Sequence, residues 1–231
     1  MDGKLMRVVY KECLDILKDN NTLMWCYRTA KDYYKIGLRY YHTFDHAEFV
    51  LYSAIKNMSV SYVKRHPELI IACLWHDAVY IPGGLNNANE NLSAQALLNE
   101  AMTTSIATNS YWLRKVRDAA ILIRYTGIDT HKQSYLPKDK LSPVLRRPLE
   151  VLLDADLSSL ALPYAQFLDL QHKIVREHDP MEKLSTARKQ AHFLNDTFVS
   201  KPWIYHVQKT EFELEERARD NIAKLLKEVR C

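Results

Sequence analysis

Residues 69–75 read LIIACLW, seven apolar side chains in a row. A helix that is apolar all round is stable only where neighbours cover every side. The run therefore demands a central element with others wrapped round it. Composition decides what those others are. Only 5 of 231 residues are Gly and 8 are Pro, and Leu, Ala, Lys and Glu, which suit helices, are plentiful. The expected fold class is all-α, a helical bundle built round a helix that Pro67 starts and that runs through the apolar stretch to about residue 80.

Apolar residues at helical spacing predict further helices over 4–18, 22–36, 46–63, 92–102, 110–124, 145–156, 164–179, 182–199 and 211–229. Residues 81–91 hold Pro82, Gly83, Gly84 and four Asn, the clearest loop in the chain. Residues 125–143, with Gly127, Pro137 and Pro143, form a long irregular connection. No repeat, low-complexity segment or linker divides the sequence, so one helical domain over 1–231 is expected.

Net charge is +4 and no long basic run exists, so the sequence carries no strong nucleic-acid signal. No apolar stretch is long enough for a membrane span, and no signal-peptide core follows Met1. None of the four cysteines, Cys13, Cys26, Cys73 and Cys231, shares a C-x-x-C spacing. Cys13 and Cys73 fall on apolar faces as core residues. A reduced, cytoplasmic protein is expected.

The apolar helix contains one anomaly, His76 beside Asp77. Consecutive helical residues diverge by about 100°, so both cannot escape an apolar surround, and an unpaired buried carboxylate costs several kcal/mol. A cation over the pair removes that penalty. Imidazole nitrogen with carboxylate oxygen suits a borderline divalent ion. Two other polar interruptions have the same character: His46, four residues after His42, at a helix start, and Asp154 with Asp156 inside LLDADL.

In order, His46, His76-Asp77 and Asp156 resemble the H…HD…D pattern of the HD superfamily of metal-dependent phosphohydrolases. The likeness is closer to one poorly characterised subgroup, whose strings are R-x-Y-H-N-x-x-H, H-D-A-V-Y, N-E-x-x-S-A and L-D-A-D-L. Here Arg39-Tyr40-Tyr41-His42 is followed by Thr43 where Asn is usual. His76 to Tyr80 is intact, as are Asn89-Glu90 with Ser93-Ala94, and residues 153–157. KPWIY and EERARDNIA extend the similarity, which covers about 38–225. Residues 1–37 are then N-terminal helices packed on an HD-domain bundle with additional C-terminal helices.

The resemblance implies that His46, His76, Asp77 and Asp156 hold one divalent ion, Mn, Co, Ni, Fe, Zn or Mg. Asp77 and Glu90 are the catalytic candidates. His42, Asp154 and His131 are supporting neighbours or extra ligands, and Arg39 and Lys132 are candidate phosphate contacts. The implied activity is hydrolysis of a phosphate ester or anhydride of a small molecule, foremost a nucleotide, by metal-activated water. Two other readings stay open: a catalytically silent nucleotide-binding or regulatory module, and a di-iron oxygenase, which needs more histidines. Self-association into a homo-oligomer is also left open.

Overall fold

The computed structural model describes residues 3–84, 87–129, 134–135, 141–207 and 212–229. Among the described residues the fold is all-α. The helices are α1 (Gly3–Leu17), α2 (Asn21–Tyr33), α3 (Phe44–Asn57), α4 (Val60–Arg65), α5 (Pro67–Trp75), α6 (Ala88–Met102), α7 (Ser110–Arg124), α8 (Pro143–Asp156), α9 (Tyr164–His178), α10 (Leu184–Leu194) and α11 (Phe212–Glu228). Short polar residues set several starts. The Asn20 side chain accepts from Leu23 N and the Asn109 side chain from Trp112 N, capping α2 and α7.

Helix α5 is buried along its whole length and packs against α2, α3, α7 and α8. It is the central element that its composition demands. Trp75 is fully buried, and its indole N–H donates to the Cys26 carbonyl at 3.0 Å. Cys13, Cys26 and Cys73 are buried free thiols of this core.

Four boundaries differ from the sequence expectation. Helix α5 ends at Trp75 and does not run on to residue 80, so the His76-Asp77 pair terminates the apolar helix and does not interrupt it. The expected helix 46–63 is two helices, because the Ser59 side chain accepts from Tyr62 N and starts α4 afresh. Helix α6 begins at Ala88, which moves Glu90 from the loop into a first helical turn. Helix α10 stops at Leu194 and passes into a π-helical turn, Asn195–Val199. Within the irregular connection, Ile128–Asp129 and Ser134–Tyr135 pair as a two-residue antiparallel ladder.

A second apolar cluster joins Leu160, Phe167, Leu194, Phe198, Tyr205 and Ile222 from α9, α10, α11 and the segments between them. Buried polar groups tie it to the first cluster. The Asp154 carboxylate, at 0% exposure, accepts from the backbone N–H of His206 and Val207 at 2.7 and 2.6 Å, and lies 3.0 Å from His206 Nδ1. Glu177 Oε1 accepts from the N–H groups of Tyr40, Tyr41 and His42 at 2.7, 2.7 and 2.9 Å. Asn221 donates to the carbonyls of Leu160 and Leu162. No helix among the described residues is long and apolar enough to cross a membrane.

Candidate metal centre

Three helix ends meet where the two clusters adjoin. His46 lies in the first turn of α3, His76 follows the last residue of α5, and Asp156 is the last residue of α8. Their ligand atoms all lie within 4.8 Å of one another. His46 Nε2 is 3.2 Å from His76 Nε2 and 3.1 Å from Asp156 Oδ1. Asp77 adjoins the group on the side of the histidines, its Oδ2 3.0 Å from His76 Nε2 and 3.6 Å from His46 Nε2. Of the four residues that the sequence pattern singles out, the structure groups His46, His76 and Asp156, with Asp77 beside the two histidines.

The donor set fits a cation. Two ligands on bonds of about 2.1 Å that subtend roughly 90–110° lie about 3.0–3.4 Å apart, close to the separations present here. His76 Nδ1 is 3.0 Å from the Cys73 carbonyl. A carbonyl only accepts, so that nitrogen carries the proton and Nε2 presents its lone pair to the cluster. His76 and Asp156 stand at the C-terminal ends of α5 and α8, which carry partial negative charge, whereas His46 stands at the partly positive N-terminal end of α3.

Without a cation the cluster must hold protons instead. Burial works against a charge on His76, yet the carboxylates of Asp77 and Asp156 outweigh it and raise its pKa well above the usual histidine value. Burial would likewise raise Asp77, but the charges of His76 and then His42 hold it far below the carboxylate range. Asp156 is held down in the same way by hydrogen bonds from His46 and His76. These directions set the sign for metal uptake. At neutral pH the ion must expel the proton on His76, so binding is expected to release about one proton, and affinity is expected to fall about tenfold for each pH unit of acidification. Calorimetric titrations in buffers of different ionisation enthalpy check this; no proton release would contradict the arrangement.

The cluster opens on a cavity of about 320 Å³, also lined by His42, Tyr80 and Glu90. Burial pushes the Glu90 carboxyl up from its usual range, and the negative charge of Asp77 adds to the shift. His42 stands beside the ligands. Its Nδ1 is 2.5 Å from Glu177 Oε2, and its ring stacks on Tyr80 at 3.8 Å between centroids. Tyr80 in turn meets His178 Nε2 at 3.1 Å through its hydroxyl.

The remaining candidates stand elsewhere. The Asp154 carboxylate is turned away and spent on residues 206–207. Arg39 is not among the cavity-lining residues. Its guanidinium donates to the carbonyls of Ile36, His42, Asp77 and Ala78 at 3.2, 3.1, 2.7 and 2.8 Å, clamping the 36–42 segment to the turn after α5. Four of its five N–H donors are engaged in that clamp. His131 and Lys132 lie outside the described residues. Glu177, which the sequence offers with Arg176 as a rim ion pair or substrate contact, instead supports His42, whereas Gln171 and Gln190 line the cavity without a signal in the sequence, where they pass for ordinary polar positions of amphipathic helices.

No protein-family model, curated protein or solved structure matches the chain. The fold and the site by themselves define an all-helical bundle with a buried His–His–Asp group able to hold a metal ion.

Proposed function

We propose that this chain is a metal-dependent phosphohydrolase of the HD type, cleaving a phosphate ester or anhydride of a small molecule. The observation that carries the reading is the convergence of His46, His76 and Asp156, from three separate helix ends, with Asp77 beside the histidines, on the wall of a cavity. A divalent ion held by these four groups would supply Lewis acidity, lowering the pKa of a water and drawing charge from a phosphoryl oxygen.

The chain's own residues handle protons and position. The Glu177 carboxylate accepts from His42 Nδ1 and from three backbone N–H groups, so the imidazole is held in one orientation with its proton on Nδ1. His42 Nε2 is then the nitrogen free to exchange a proton with the leaving group. Glu90, its carboxyl raised by burial, is a second acid on the cavity wall.

A phosphate-release screen over nucleotides, sugar phosphates and an aryl phosphate, with Mn, Co, Ni and Mg, tests the reading. Release from at least one substrate in a metal-dependent manner is expected. Glu90→Gln is expected to keep its metal and lose about 10²-fold or more in kcat. No release from any substrate by the metal-loaded chain would overturn the assignment.

A further inference from the structure

The cavity has a second wall that the chemistry at the metal does not use. Gln171 on α9 and Gln190 on α10 both line it, and Gln190 Nε2 donates to Gln171 Oε1 at 3.1 Å. Gln171 is only 3% exposed. Each amide carries one carbonyl and one NH2 group. Their mutual bond leaves Gln171 Nε2 and Gln190 Oε1 without a partner among the described residues. Turning both amides over re-forms the bond in the opposite sense and again leaves one NH2 and one carbonyl.

Apolar side chains adjoin the pair in an otherwise mixed lining. Phe193 lies one turn along α10 from Gln190, and Ile174 one turn along α9 from Gln171. The π-helical turn, which adds a residue to the turn and redirects the chain beyond it, carries Phe198 into the same wall. Phe193 and Phe198 meet edge to face with centroids 6.2 Å apart. The two glutamines also border a smaller groove outside α9 and α10, lined by Leu168, Val175 and Leu184.

Neither spare atom is enclosed, so each is open to a ligand that enters the cavity and displaces water. The group that meets them beside aromatic edges is planar and carries a donor next to an acceptor. We propose that Gln171 and Gln190 recognise the heterocyclic base of a nucleoside monophosphate, with the phosphoryl group at the metal end of the cavity. The size agrees, since about 320 Å³ is near the small end of ligand sites. This assignment rests on the phosphohydrolase reading for its phosphate end, whereas the base end stands on the glutamine pair. Because the pair reverses without loss, it requires a base but does not rank one base over another. Lactam and amidine edges are met equally by the two orientations.

The test compares nucleoside monophosphates with ribose 5-phosphate and an aryl phosphate in the wild type, Gln171→Leu and Gln190→Met, with folding of each variant checked by its thermal melt. The wild type is expected to favour the base-bearing compounds over ribose 5-phosphate by about 100-fold or more in kcat/KM, with the common bases within about tenfold of one another. In either variant the preference is expected to collapse to under about tenfold. A wild type indifferent to the base, or variants that keep the preference, would overturn the proposal. If no compound is hydrolysed, the phosphohydrolase reading fails and calorimetric binding of nucleosides decides this one. Nucleosides that bind the wild type and not Gln190→Met uphold it; nucleosides that bind neither overturn it.

Discussion

Asp156→Ala is expected to leave the chain folded and nearly free of metal, and to abolish phosphate release. The carboxylate makes no hydrogen bond that the bundle depends on. It is partly open to the cavity, and its Oδ1 faces His46 Nε2 at 3.1 Å and His76 Nε2 at 3.6 Å. Removing it deprives a bound cation of one of two negative ligands. Taking one partner from a buried charge set costs about 3–5 kcal/mol, which is about a hundred- to a few-thousand-fold in affinity at roughly 1.4 kcal/mol per tenfold. Metal analysis of protein purified without chelator reads the loss directly. A second readout is independent of turnover. With Asp156 gone, one of the two carboxylates that hold the proton on His76 is gone, so proton release during residual metal uptake is expected to shrink. A variant that retains stoichiometric metal would place the ion elsewhere.

The candidate ligands were legible in sequence because their apolar surroundings make them conspicuous. His and Asp directly after LIIACLW, and Asp within LLDADL, require partners, and the structure supplies them by bringing three helix ends together. The central helix was legible for the same reason, since nine consecutive residues of α5 are buried. Its end was not. No Gly or Asn follows Trp75, and the apolar AVY continues the pattern past the point where the helix stops. The stop is made by contacts from afar, Arg39 on the carbonyls of Asp77 and Ala78, and Ser93 Oγ accepting from Val79 N at 3.0 Å. The partners of Glu177 were opaque in the same way, because they lie 135–137 residues away in the chain. Ser59 was the exception, a capping residue in plain view within a stretch that otherwise keeps helical spacing. Local pattern thus reports which residues must be satisfied, and long-range packing decides by what.

Asp154→Ala is expected to have the opposite signature to Asp156→Ala, although the two residues share one helix end and one string of leucines. Two steps along a helix turn a side chain by about 200°, and that rotation separates their roles. Asp156 faces the cavity, whereas Asp154 is fully buried and faces the segment before α11. There its carboxylate takes the N–H groups of His206 and Val207 and lies against the His206 ring. Alanine leaves two backbone donors without an acceptor in the interior. At about 1.5–3 kcal/mol for a hydrogen bond to a charged group, the loss is expected to total about 3–5 kcal/mol, a large part of the roughly 5–15 kcal/mol that holds a domain together. Denaturant titration should therefore show a midpoint far below that of the wild type. Asn, which keeps one acceptor oxygen but turns an NH2 towards these donors, should recover only part of it. The residual folded population is expected to bind metal, because none of the four ligands is touched. Wild-type stability in Asp154→Ala would show that the carboxylate does not anchor residues 206–207, and the tie between the two apolar clusters would then rest on Glu177 and Asn221 instead.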